Sequence, residues 1–150
     1  MINLLRTDSS NEDYIKLASA LDKDLAIRDG ADHAFFAQYN KSDSIKHCLL
    51  AYEDNVPVAC GAIKHYEVDV VEVKRMYVPP VHRGEGIATI VLKELELWAK
   101  ELGYSKCILE TGKKMPEAIS VYKKNSYVII PNYGQYEGVE ASVCFEKELV

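Results

Sequence analysis

Apolar residues recur along this chain with two different periods, and the changes between them lay out the elements. Ile87, Ala88, Val91, Leu92, Leu95, Trp98, Ala99 and Leu102 fall on one face of a 3.6-residue repeat, predicting a helix over 87–102. Lys93, Glu94, Glu96, Lys100 and Glu101 take the opposite face, and Gly103 stands where a helix end favours a left-handed residue. Tyr14, Leu17, Ala18 and Leu21 make a second stripe, opened by Ser10-Asn11-Glu12-Asp13 and broken over 29–32, with a short helix expected over 34–39. A third helix, 116–124, carries Pro116 in its first turn. Between them, runs bounded by turn formers read as strands over 2–6, 46–53, 58–66, 68–78, 105–110, 127–130 and 141–148. Asp54-Asn55 turns one hairpin, Pro79-Pro80 stops the third long strand, and a loop over 131–138 joins the last two. The order β-α-α-β-β-β-α-β-α-β-β predicts one α/β (α+β) domain over 1–150.

At 150 residues the chain can bury a core of its own. No apolar run approaches the roughly 20 residues of a membrane span, and the first residues lack a signal-peptide pattern, so a cytoplasmic protein is expected. A net charge of −5 argues against general nucleic-acid binding. The four cysteines, Cys48, Cys60, Cys107 and Cys144, lie in apolar strand-like stretches without metal-ligand spacing. They read as buried free thiols, and no metal is expected.

The chemistry gathers in residues 76–92, where a strand ends at two prolines, a basic glycine-rich turn follows and a helix begins at once. Arg83-x-x-Gly86-x-Ala88 sets backbone N–H groups and a positive charge at a helix N-terminus, which favours a pyrophosphate. A P-loop is excluded because no Gly-Lys-Ser or Gly-Lys-Thr occurs. The dinucleotide fingerprint would need a third small residue where Thr89 stands.

What remains is R/Q-x-x-G-x-G/A, and here it resembles the acetyl-CoA loop of the Gcn5-related N-acetyltransferases (the GNAT superfamily). The predicted element order matches that superfamily throughout, and the chain is most similar to small single-domain bacterial members with segments resembling EvKRMYV, LETG and PEAI. The resemblance implies a central mixed, mostly antiparallel sheet of about seven strands with helices on both faces. It also implies direct acetyl transfer from acetyl-CoA to a primary amine in a ternary complex.

Carried onto this chain, the resemblance gives the backbone of Met76, Tyr77 and Val78 to the pantetheine arm. It gives Arg83, Gly84, Glu85, Gly86, Ile87 and Ala88 to the pyrophosphate. His82 is either a further phosphate contact or an exposed loop residue. Tyr122 matches the tyrosine that protonates the departing thiolate, and a phenol near ~10 against a thiol near ~8.5 suits that transfer. Glu72 lies four residues before Met76, the spacing of the catalytic glutamate of related histone acetyltransferases. Strand alternation would put Glu72, Lys74, Met76 and Val78 on one face. As a base, a carboxylate near ~4.3 faces an ammonium near ~10, a gap of about 6 pH units. Glu72 therefore stays open between base or anchor and ion-pair partner of Lys74 or Arg75. Asp29, His33, Gln38 and Asn40 fall where the first two helices wall the acceptor pocket, and Tyr133 lies on the loop that approaches from the far side.

Two positions depart from the pattern: Met115 replaces an asparagine that bonds pantetheine, and Ser126 replaces the glycine after the 116–124 helix, leaving Asn125 as the candidate left-handed cap. A small-molecule amine is the expected acceptor, with a monomer or homodimer as the assembly. A non-catalytic acyl-CoA sensor and a protein acetyltransferase acting on Lys or an N-terminus remain the alternatives.

Overall fold

A computed structural model describes residues 1–38 and 44–150. Strands β1 (Ile2–Thr7), β2 (His47–Glu53), β3 (Val56–Glu67), β4 (Val70–Tyr77), β5 (Lys106–Gly112), β6 (Val128–Ile130) and β7 (Ser142–Glu148) form one sheet. Their spatial order is β1-β2-β3-β4-β5-β7-β6, and every pairing is antiparallel except β4 with β5. Helices α1 (Glu12–Asp29), α2 (His33–Ala37), α3 (Ile87–Glu101) and α4 (Pro116–Lys124) complete the predicted element order. Among the described residues, single-turn 3₁₀ segments at Gly30–Asp32, Pro80–His82 and Gly134–Tyr136 lay below the resolution of periodicity.

Each face of the sheet carries its own core. Val91, Leu92, Leu95 and Ala99 of α3 close over Leu49, Ala59, Ile63 and Val73, joined by Tyr122 of α4. Tyr14, Leu17, Ala18 and Leu21 of α1 cover Cys48, Leu50, Cys60 and Ala62 on the other face. All four cysteines are free and buried, as their apolar settings predict. The α1 start is capped by the Asn11 side chain, which accepts from the amides of Asp13 and Tyr14. At Gly61 an added Cβ would stand 2.8 Å from Leu95 Cδ1 and 2.7 Å from Met76 Sδ, so the absent side chain lets α3 sit close to the sheet.

Two features organise the site. The β4–β5 ladder holds only Val70↔Lys106, Val71↔Cys107 and Glu72↔Ile108; beyond these, β4 runs on to Tyr77 and β5 to Gly112 without pairing. The sheet therefore opens into a V at its centre. On its other edge, β4 carries a bulge: the register passes from Ala62↔Lys74 to Cys60↔Tyr77, with Arg75 left-handed at φ 59°. The extra residue reverses the alternation, which corrects the expectation of a shared face. Val71, Val73, Met76 and Val78 pack toward α3, whereas Glu72 and Lys74 line a cavity with Leu21, Leu25 and Asp29 of α1. A left-handed Arg costs of order 1–3 kcal/mol, and Arg75 is held there by bonds from Nη2 to the Ala18 carbonyl (2.9 Å) and Asp22 Oδ1 (2.8 Å).

Helical periodicity also misplaces Glu96, which it sets on the solvent face. The structure buries it to 9% exposure, where it accepts from the Tyr127 hydroxyl (2.9 Å) and Lys147 Nζ (2.9 Å). A carboxylate with two charge-assisted or hydroxyl donors can leave water, and periodicity carries no information about β7 or Tyr127. Glu96→Ala would leave a buried phenol and an ammonium without their acceptor, so a loss of about 3 kcal/mol is expected. In a thermal melt at pH 7 that is a fall of roughly 6–12 °C; a shift below about 1 °C would show the pair to be energetically idle. At the α4 end, Ser126 (φ 74°) takes the left-handed position, not Asn125, whose amide instead donates to Thr89 Oγ1 and the Val121 carbonyl.

Candidate active site

The V between β4 and β5 holds two cavities that share Met76, Met115, Ala118 and Tyr122. One, of about 300 Å³, opens between the turn after β4 and α4. The other, of about 100 Å³, opens toward α1 and α2.

The larger cavity is lined by Met76, Tyr77, Val78, His82, Arg83, Gly84, Gly86, Ile87 and Ala88, so the structure brings the predicted cofactor residues together except Glu85, which is exposed away from it. Gly84 and Gly86 have φ of 83° and 79°, and an added Cβ at either would meet only open space. Gly86 is the N-cap of α3 and offers no side-chain cap, and the helix closes its first bond from the Ile90 amide to the Gly86 carbonyl. The amides of Ile87, Ala88 and Thr89 are thus left without an intrahelical acceptor, which makes the loop an anion cradle.

The Arg83 guanidinium, in the lining of the same cavity, is already engaged by protein groups. Its Nε donates to the Val78 carbonyl (2.8 Å), and Nη2 and Nη1 lie 3.6 Å from Asp24 Oδ2 and 3.7 Å from Glu117 Oε1. Arg28 pairs with the same two carboxylates, at 3.1 Å to Asp24 Oδ1 and in close contact with Glu117. Two arginines and two acids therefore tie α1, the turn and α4 together beside the cleft.

Tyr122 projects from α4 to the junction of both cavities. Its ring packs edge-on to Tyr127 (5.7 Å between centroids) and tilted against Phe145 (5.8 Å), and burial raises its proton affinity above that of an ordinary phenol. Pro116 starts α4 and the left-handed Ser126 ends it, fixing where Tyr122 falls.

Beside the smaller cavity, Glu72 is 8% exposed; its Oε2 accepts from the Tyr133 hydroxyl at 2.6 Å, and Oε1 lies 3.5 Å from Lys74 Nζ. Asp29, at the end of α1, lines the cavity, and its Oδ2 is buried without a hydrogen-bond partner among the described residues. Burial pushes that carboxyl above the usual range. His33, one turn on, has a buried Nδ1 without a hydrogen-bond partner among the described residues. Gln38 is exposed and does not line the cavity, and Asn40 lies outside the described residues.

The structure adds residues that the sequence did not single out: Phe36, Tyr136 and, most notably, Glu110. Glu110 Oε2 accepts from Ser142 Oγ at 2.7 Å, and burial pushes the carboxyl up to about 7. Glu72 and Glu110 lie 38 positions apart on strands that pair and then separate, a relation no local pattern encodes.

The family model for the Acetyltransferase (GNAT) family matches residues 8–127. An "IAA acetyltransferase" of Azospirillum brasilense is 35% identical over 102 residues, 67% of this chain and 67% of that protein. A solved Klebsiella pneumoniae structure, assigned as an acyl-CoA N-acyltransferase, covers all of this chain and 99% of its own, with TM-score 0.83 and 27% identity. The fold is shared with the PaiA N-acetyltransferase of Thermoplasma acidophilum, solved in complex with coenzyme A (TM-score 0.70, 17% identity, 99% of both chains).

Proposed function

The chain belongs to the acetyltransferase (GNAT) family, and from that premise we propose that it moves an acetyl group from acetyl-CoA directly to the amine of a small molecule. The observation that carries this reading is the meeting of two cavities at Tyr122, an anion cradle beyond one and a cluster of carboxylates around the other.

Acetyl-CoA supplies the acetyl thioester. The amides from Gly84 to Ala88 bind its pyrophosphate, and the edge of Met76–Val78 from which β5 diverges receives the pantetheine arm as an added strand would, with the Val78 carbonyl already taken by Arg83. Tyr122 donates its phenolic proton to the sulfur as the C–S bond breaks. Glu72, already bonded to Tyr133 and close to Lys74, anchors the acceptor's cationic head, and Asp29 offers a second carboxylate. Tyr133 positions Glu72 through its hydroxyl, and the His33 Nδ1, unpartnered among the described residues, lies one turn beyond Asp29. The acceptor cavity, at about 100 Å³, suits a compact amine better than a peptide segment.

The test is acetyl transfer from acetyl-CoA to a panel of amines, amino acids and peptides, followed by mass spectrometry. Turnover of compact amines with peptides left unmodified is the expected result. Peptide acetylation alone would replace the acceptor class, and bound acetyl-CoA with no product across the panel would turn the reading toward a sensor.

A further inference from the structure

We propose that the acceptor is a diamine, and that Asp29 seats the ammonium that does not react while the other nitrogen is acetylated beside Tyr122. This names the acceptor class within the acetyl-transfer reading and rests on it.

Leu21, Leu25 and Asp29 stand four residues apart on α1 and all line the smaller cavity, so one face of the helix presents two apolar side chains and then a carboxylate. Met76, Met115 and Ala118 carry the apolar wall to Tyr122, where this cavity meets the one assigned to acetyl-CoA. Asp29 borders the smaller cavity alone. A ligand along this wall has apolar surface for its carbon chain, the thioester at one end and a carboxylate away from it.

Asp29 occupies that place at a cost. It is 7% exposed, and its Oδ2 is buried without a hydrogen-bond partner among the described residues. The cations of the same lining are engaged elsewhere, Lys74 by Glu72 and Arg75 by Asp22, and the preceding Arg28 is held by Asp24 and Glu117. Asp29 also ends an 18-residue helix, where the aligned peptide dipoles already make the potential negative. Burial is the main reason its proton affinity lies above the usual range; His33 and Lys114 oppose the rise, and Asp32 and Asp24 add to it. An ammonium on Oδ2 supplies both the missing donor and the missing charge.

Two nitrogens are required because acylation consumes a charge. The nitrogen that attacks must be neutral and ends as an amide, so it cannot stay the counter-ion of a carboxylate. A second ammonium keeps its charge from binding to product release and neutralises Asp29 throughout. Glu72, already bonded by Tyr133 and close to Lys74, can guide the reacting nitrogen without needing a permanent counter-ion. An acceptor that carries a carboxylate meets the opposite situation, since both cations of the lining are already committed.

In the transfer, one nitrogen releases a proton to water and its lone pair forms the C–N bond to the acetyl carbon. The C–S bond breaks with its electron pair on sulfur, and Tyr122 protonates that sulfur and regains a proton from the nitrogen. Acetyl-CoA and ⁺H₃N–R–NH₃⁺ thus become ⁺H₃N–R–NH–CO–CH₃, coenzyme A and one released proton.

The test compares acceptors that differ at one end only. 1,4-Diaminobutane, 1-aminopentane and 4-aminobutanoate offer an ammonium, a methyl group and a carboxylate beyond the reacting nitrogen, and shorter and longer diamines set the spacing. Wild type is expected to use the best diamine with kcat/KM about tenfold or more above its methyl-ended counterpart, the usual worth of a hydrogen bond between charged groups. The aminocarboxylate should remain unmodified. Asp29→Asn should bring the diamine-to-monoamine ratio down to about one, chiefly by raising KM for the diamine, with the Kd for acetyl-CoA unchanged.

A second readout needs no turnover: 1,4-diaminobutane alone should raise the melting temperature of wild type and not that of Asp29→Asn. The variant exchanges a buried, unpartnered carboxylate for a neutral amide, so it should melt no lower than wild type at pH 8. If it fails to fold, the acceptor comparison on wild type still decides. Equal use of 1-aminopentane and the best diamine, a preference for 4-aminobutanoate, or a diamine preference that survives Asp29→Asn overturns the seat while leaving acetyl transfer intact. A wild type that acetylates no amine of the panel removes the reaction itself, and the acceptor class with it.

Discussion

Tyr122→Phe is expected to lower kcat by about 100-fold or more while leaving the Kd for acetyl-CoA within about twofold of wild type. The ring and the hydroxyl of Tyr122 have separate surroundings. The ring is packed by Tyr127 and Phe145, contacts that Phe can keep. The hydroxyl has no hydrogen-bond partner among the described residues and stands where the two cavities join. Burial disfavours phenolate, which keeps Tyr122 a neutral donor. That shift alone would widen its gap from a thiol in water, but the departing thiolate lies in the same cavity and is penalised by the same loss of solvent. A proton moving from one to the other relieves both. The measurement is steady-state kinetics on the best acceptor beside a direct binding titration. Loss of kcat with binding intact supports the acid; equal loss of affinity would make Tyr122 a packing element, and unchanged kcat would pass the proton to water.

The fold was legible because its information is local. A 3.6-residue stripe places α3 and α1, Pro116 opens α4 at the expected residue, and the turn at Asp54-Asn55 is confirmed by positive φ at both positions. The lining of the larger cavity was legible for the same reason: Arg83, Gly84, Gly86, Ile87 and Ala88 fall in one turn, and Met76 through Val78 are consecutive. The smaller cavity was only half visible. Asp29 and Glu72 could be inferred from their elements. Glu110 could not, because its significance arises from β4 and β5 parting after Glu72↔Ile108. The bulge at Arg75 left no glycine or proline to mark it, so simple alternation sent Glu72 and Met76 to one face when the structure divides them. Glu96 failed likewise, since its partners Tyr127 and Lys147 lie 31 and 51 residues away. Local periods report which face a residue prefers, and long-range pairing decides which charges can be buried there.

Gly86→Val is expected to abolish measurable acetyl-CoA binding in a folded protein. Two effects act at this residue and can be separated. Gly86 has φ of 79°, a conformation that a β-branched residue resists at a cost of about 1–3 kcal/mol. Its missing Cβ also faces open space, with no atom of the described residues beyond its chain neighbours within 4 Å, and Gly86 lines the larger cavity. A valine there would fill the space in front of the α3 amides, where a pyrophosphate must come within hydrogen-bond distance of the backbone. Gly86→Asn is the discriminating companion, because Asn tolerates the left-handed region but still carries a side chain into the cradle. Calorimetric titration with acetyl-CoA, alongside far-ultraviolet circular dichroism and thermal melts, reads both variants. If the cradle binds phosphate, both lose affinity, by about 100-fold or more for Val as the equivalent of roughly 3 kcal/mol, and Asn does so with little change in melting temperature. Should Asn bind normally while Val does not, backbone conformation alone is what Gly86 supplies. Normal binding by a folded Gly86→Val protein would move the pyrophosphate away from this loop and with it the cofactor's path through the cleft.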